Sequence, residues 1–139
     1  MKKLSFMLLA VCVATPAFAQ STQTTSDLAK TVKYRPAYHA MTQLPEWVTK
    51  AAAVSVPTKT LTQDGRTYLI GHLCKPHDCA DHQLDVVFSA DGKTTWGLLS
   101  RRYGKTLYQM PLGEPDAETL AALLTSYHDN NPDDAVKSP

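Results

Sequence analysis

The segment Thr67-Tyr68-Leu69-Ile70-Gly71-His72-Leu73 is rich in β-formers and runs straight into Cys74-Lys75-Pro76-His77-Asp78-Cys79. After three intervening residues Gln83-Leu84-Asp85-Val86-Val87-Phe88-Ser89 alternates, with Leu84, Val86 and Phe88 on one side. Two strands on either side of so short a connection are read as antiparallel neighbours. Outward from this pair, Ala90-Asp91-Gly92-Lys93 closes a hairpin onto a strand over residues 94–101. Arg102-Tyr103-Gly104 then separates that strand from another over residues 105–110. Upstream, Val56, Thr58, Thr60 and Thr62 place β-formers at a two-residue period from Val54 onward, and Gln63-Asp64-Gly65 supplies the turn. The count is about five strands.

Helical patterns flank the strands. Thr25 or Ser26 is placed to cap a helix through Leu28, Val32, Tyr34 and Tyr38 to about Met41, which Pro36 should end or kink near Tyr34. The polar residues 20–25 before it are expected to fray. Leu44-Pro45-Glu46-Trp47-Val48 reads as a second short helical turn with proline at its first position. After Gly113-Glu114-Pro115-Asp116, Leu120, Leu123, Leu124 and Tyr127 recur at helical spacing until Asn130-Asn131-Pro132, with Asp133-Asp134 expected to be loose. The fold class is α+β: a single antiparallel sheet packed with N- and C-terminal helices.

The N-terminus is a different kind of sequence. Met1-Lys2-Lys3 is basic, residues 4–13 are almost unbroken apolar sequence, and Ala17-Phe18-Ala19 offers small residues at the positions a signal peptidase reads. Residues 1–19 are therefore read as a secretory signal peptide cleaved before Gln20, leaving one domain over residues 20–139. The apolar run is too short for a membrane span and is broken by Thr15-Pro16. Val11 before Cys12 is unsuited to lipoprotein processing. The leader suits a bacterial periplasm. Its loss takes the basic residues from 14 to 12 against 13 acidic ones, so the whole chain's net charge of +1 becomes −1. That balance argues against a nucleic-acid partner. Two of the three cysteines remain, Cys74 and Cys79, an even number that makes a disulfide the default in an exported protein.

Four readings compete for residues 74–79. Thiol redox chemistry normally spaces its cysteines by two residues, whereas four lie between these. A metal-binding module would draw on Cys74, Cys79, His77 and His82, although exported cysteines usually oxidise. A plain structural staple accounts for the cysteines but not for the Lys, His and Asp between them. A recognition loop accounts for both. A six-residue ring removes roughly 2 kcal/mol of unfolded-chain entropy, and Pro76 fixes one more dihedral, so the tip is stiff before a partner arrives.

The loop Cys74-Lys75-Pro76-His77-Asp78-Cys79, with Leu44-Pro45-Glu46-Trp47-Val48 upstream and the strand series after Cys79, resembles the inhibitor of vertebrate lysozyme (Ivy) family. The resemblance covers most of the mature chain, and the loop is its specific part. It implies an antiparallel sheet with helices against it and a disulfide loop that plugs the active site of a c-type lysozyme. The family's key loop histidine corresponds to His77, flanked by Lys75, Pro76 and Asp78. No cofactor is implied. Monomer and homodimer both remain open, and so does a second target, the bacterium's own lytic transglycosylases. With a nearly neutral chain, steering toward a basic lysozyme is expected to use local acids such as Asp78 and Asp81.

The remaining features are structural. Trp47 and Trp96 are read as packing residues, His39, His72, His82 and His128 as surface or structural, and Arg101-Arg102 as a solvated strand end. No nucleophile–base pair, paired carboxylates or phosphate loop stands out, so the chain is not read as an enzyme.

Overall fold

The computed structural model of the protein describes residues 20–41 and 45–134. The leader over residues 1–19 and Leu44 lie outside the described residues. Among the described residues seven strands form one antiparallel sheet in the order β1 (Gln20–Thr24), β3 (Pro57–Gln63), β4 (Arg66–Cys74), β5 (His82–Ser89), β6 (Thr95–Tyr103) and β7 (Thr106–Leu112), with β2 (Val54–Ser55) paired to β4 beyond β3. Three short helices, α1 (Thr25–Lys30), α2 (Arg35–Met41) and α3 (Glu46–Thr49), precede most of the sheet, and α4 (Ala117–Asn130) follows it. The α+β class and the single antiparallel sheet are as the sequence implies. The strand count is higher.

β5 is buried along its whole length apart from its two ends, because both faces of the sheet are covered. Leu84, Val86 and Phe88 point to one side and pack with Leu73 and Leu99 under Leu28, Tyr34, Tyr38, Met41 and Val48 of the N-terminal helical segment. Val87 points to the other side and packs with Leu98 against Leu123 and Tyr127 of α4. Period-two alternation thus feeds two cores. Trp47 and Trp96 are partly buried against these cores. Polar links hold α4 down as well. Ser126 donates to the buried Asp85 carboxylate at 2.6 Å, His72 Nδ1 lies 3.2 Å from the same oxygen, and Gln83 and Asn131 pair through both amides.

Several local expectations are corrected. Residues 20–24 form an edge strand on β3 instead of fraying, since backbone pairing at an edge requires no apolar side chains. The strand expected from Val54 through Thr62 is split into β2 and β3 around Val56, just before Pro57, which has no N–H to donate. The first helix is two helices. Thr24 caps α1 in a capping box with Asp27, Thr31 is extended, and Pro36 lies in the first turn of α2, where its missing N–H costs nothing. Pro45 stands one place earlier than expected, as the N-cap of α3. Finally, Asp133-Asp134 is not loose and Arg102 is not solvated. Residues Pro132–Asp134 form a 3-10 turn in which Asp134 pairs with Arg102 and accepts from Tyr127 Oη at 2.6 Å.

Candidate functional site

The connection from β4 to β5 holds the loop. Cys74 is the last residue of β4 and pairs with Gln83 in β5, so the ring begins where the ladder ends. Cys74 and Cys79 are joined by a disulfide, with Cα atoms 4.8 Å apart. Their sulfurs are bonded to each other, so neither offers a thiolate to a metal or to redox exchange in this state, and the metal-module reading loses two of its four ligands.

Backbone bonds fix the loop's path. The Lys75 N–H donates to His82 O at 3.0 Å, extending the strand pairing by one step, and the His82 N–H donates to Asp78 O at 3.1 Å. Between them the Asp78 N–H donates to Lys75 O at 3.0 Å and closes a four-residue turn with Pro76 and His77 at its centre. Proline second and a positive φ third is the signature of a type II turn, which normally asks for glycine or asparagine at the third place. Here that place is His77, at φ +64°. Histidine is among the residues that tolerate the left-handed region better than most, yet the conformation still costs on the order of 1–2 kcal/mol. Pro76 and His77 are both exposed.

Side chains brace the turn from below. Lys75 Nζ lies 2.9 Å from Asp78 Oδ2, and His82 Nδ1 lies 2.9 Å from the same oxygen. The first is a directed hydrogen bond. The second is a close approach without bond alignment, because His82 Nδ1 has no directed hydrogen-bond partner. The Lys75 hydrogen bond, followed by the charges of His82 and Lys75, holds the Asp78 carboxyl below its ordinary value. Asp78 is thereby neutralised locally, which leaves Asp81 as the exposed acid of this connection.

All six loop residues singled out in the sequence are thus brought together: Cys74 and Cys79 close the ring, Lys75 and Asp78 clasp its foot, and Pro76 and His77 form its tip. The sequence reading took His82 as a metal-ligand candidate or a surface or structural histidine and missed its place against Asp78. Its spacing of four from Asp78 was the available signal.

A sequence model of the family described as inhibitor of vertebrate lysozyme (Ivy) matches residues 33–128, which include the whole loop. The inhibitor of vertebrate lysozyme from Escherichia coli (strain K12) is 33% identical over 135 residues, covering 89% of this chain and 85% of that protein. The chain belongs to the inhibitor of vertebrate lysozyme family. An uncharacterized protein of Yersinia pestis is also 33% identical, over 86% of each chain. The inhibitor of vertebrate lysozyme from Pseudomonas aeruginosa is 33% identical over 87 residues, covering 60% of this chain and 57% of that one. As its description says, the Ivy family is one of inhibitors and not of enzymes.

Proposed function

We propose that this protein is a periplasmic inhibitor of c-type lysozyme that occludes the active site with the disulfide-closed loop of residues 74–79. The observation that carries the reading is His77, exposed at the tip of a ring and held in a left-handed conformation by the disulfide, the turn bond and the clasp beneath it. Strain of this kind persists where the surroundings over-determine it, and it marks binding elements.

The chemistry of the target explains why an imidazole suits the tip. A retaining glycosidase, with lysozyme as type case, sets two carboxyl groups about 5–5.5 Å apart, one of them a proton-bearing acid. An imidazole carries two nitrogens on opposite sides of its ring. In its neutral form it donates to the carboxylate and accepts from the acid; in its charged form it donates to both. Either way it fills the place of the scissile bond. Lys75, Pro76 and Asp78 support His77, and the ring lowers the ordering cost on binding.

The leader over residues 1–19 supports export to the periplasm, with the mature chain at 20–139 and Gln20 opening β1. A lysis assay with c-type lysozyme and increasing amounts of the protein tests the reading. Stoichiometric inhibition that His77→Ala weakens by at least about tenfold is expected. Undiminished lysis at excess protein rejects it, and inhibition of a purified lytic transglycosylase instead transfers the loop to that target.

A further inference from the structure

We infer that the end of the β6–β7 hairpin, with Arg101, Tyr103, Tyr108 and Met110, is a second contact surface for the same lysozyme, lying on the lip of the cleft whose floor His77 reaches. The inference rests on the loop reading above and extends it to a particular neighbouring face.

The topology puts both connections at one end of the sheet. β4 leaves and β5 enters beside the place where β6 turns into β7, and the Arg102 N–H donates to Asp81 O at 2.8 Å across the gap. In register, His82 pairs with Arg101 and Arg101 with Tyr108, so these three form one cross-strand row directly below the loop. The next row is Leu84, Leu99 and Met110. Paired residues share a face, and positions two apart along a strand share it too. All of these side chains, with Tyr103, therefore stand on the face whose Leu84 and Leu99 are buried beneath the N-terminal helices. Toward the loop that face opens to solvent. Tyr103 is 59% exposed, Tyr108 58% and Met110 51%.

The surface is continuous with the clasp. The His82 ring meets Tyr103 edge-on at 6.4 Å between centroids, and Tyr103 meets Tyr108 edge-on at 5.9 Å. One chain of contacts thus runs from Asp78 through His82 to both tyrosines. Arg101 has a buried Nε without a hydrogen-bond partner, and among the described residues its side chain forms no ion pair. Exposed tyrosine and methionine around an uncommitted arginine match the residue types enriched in interface centres.

Area makes a second contact necessary. A stable complex covers about 800 Å² on each partner, some 20–30 residues. A tip with two exposed residues falls far short. The hairpin end is the neighbouring surface that shares a rigid ladder with the loop. Tyrosines contribute large area with only two torsions to freeze.

The test compares wild type, His77→Ala, the double variant Tyr103→Ser with Tyr108→Ser, and Val32→Ser by calorimetric titration with c-type lysozyme. Val32 is an exposed control at the opposite end of the sheet, its neighbour Lys33 lying against Gly92 in the β5–β6 turn. The tyrosine variant is expected to bind at least about tenfold more weakly, as His77→Ala does, while Val32→Ser matches wild type. In parallel, hydrogen exchange on the wild-type complex should show new protection over residues 101–110, which keeps the test decisive if the double variant folds poorly. Wild type failing to bind overturns the loop reading itself. Wild type and His77→Ala behaving as stated, with the tyrosine variant within twofold of wild type or no protection over 101–110, overturns the second contact alone.

Discussion

Lys75 and Asp78 meet at 2.9 Å across the foot of the turn that carries His77 at its tip. The same Asp78 oxygen is approached at 2.9 Å by His82, the first residue of β5. One carboxylate therefore ties the loop to itself and to the sheet. Exposed ion pairs contribute little to global stability, so the consequence is local: the clasp holds a tip in place and barely affects the fold.

Asp78→Ala is accordingly expected to leave the thermal midpoint within experimental scatter while weakening lysozyme inhibition by about three- to tenfold through the lost preorganisation. Inhibition equal to wild type would show that the ring alone positions His77.

The clasp also has a defined pH window. The Lys75 hydrogen bond, then the neighbouring charges, lower the Asp78 carboxyl from its ordinary 3.8. A depressed folded-state value means a contribution that is complete above 3.8 and is lost as pH falls through the lower, folded value. Carboxyl carbon-13 titration should give a midpoint for Asp78 below 3.8, and Lys75→Met should raise it. A midpoint at or above 3.8 in the wild type contradicts the clasp.

Replacing both Cys74 and Cys79 by Ala should weaken inhibition far more than it unfolds the domain. The ring closes only six residues, roughly 2 kcal/mol in the entropic account, and the two cores lie on other side chains. Urea denaturation beside the lysis assay measures both effects. Equal inhibition by the double variant removes the stiff-plug mechanism.

What was legible in the sequence follows from the range of each interaction. Leu84, Val86 and Phe88 announce β5 through a two-residue period that any seven-residue window contains. The cysteines and Pro76 announce a stiff loop in the same local way. Gln20–Thr24 has no such pattern, because an edge strand is held by its backbone against Lys59 and Pro57 far along the chain. Asp134 and Arg102 are 32 residues apart, so nothing near either marks the pair. In the site, the residue types are legible but not their conformation. That His77 is left-handed follows from Asp78 bonding back to Lys75, which the order of residues alone does not dictate.

Gly71 makes a prediction about how α1 sits on the sheet. A Cβ there would lie 2.0 Å from Thr25 Oγ1 and 2.9 Å from Thr58 Cγ2. Thr25 cannot retreat freely, since its N–H donates to Val56 O at 3.1 Å. Gly71→Ala should cost about 1–3 kcal/mol, the usual range for overpacking. Adding Thr25→Ala should recover part of that loss, because the closer clash disappears and the Thr58 contact remains. Urea midpoints of the single and double variants check this.

His77→Gly separates stability from function at one position. The left-handed conformation costs a histidine on the order of 1–2 kcal/mol, and glycine adopts it freely. Glycine also loosens the unfolded chain by roughly 0.5–1 kcal/mol, which offsets part of the gain. The variant is therefore expected to be as stable as wild type or slightly more so, an unusual outcome for removing a side chain. Its inhibition should nonetheless collapse, because the imidazole proposed to bridge the two carboxyls is gone. Central polar contacts of this kind are worth roughly 2–4 kcal/mol, about thirtyfold or more in affinity. His77→Asn, which tolerates the same backbone and keeps one amide, should fall between the two. Chemical denaturation and titration against lysozyme read the two quantities independently. A His77→Gly protein that inhibits as well as wild type would mean that the loop works by shape alone, and the bridging imidazole would have to be abandoned.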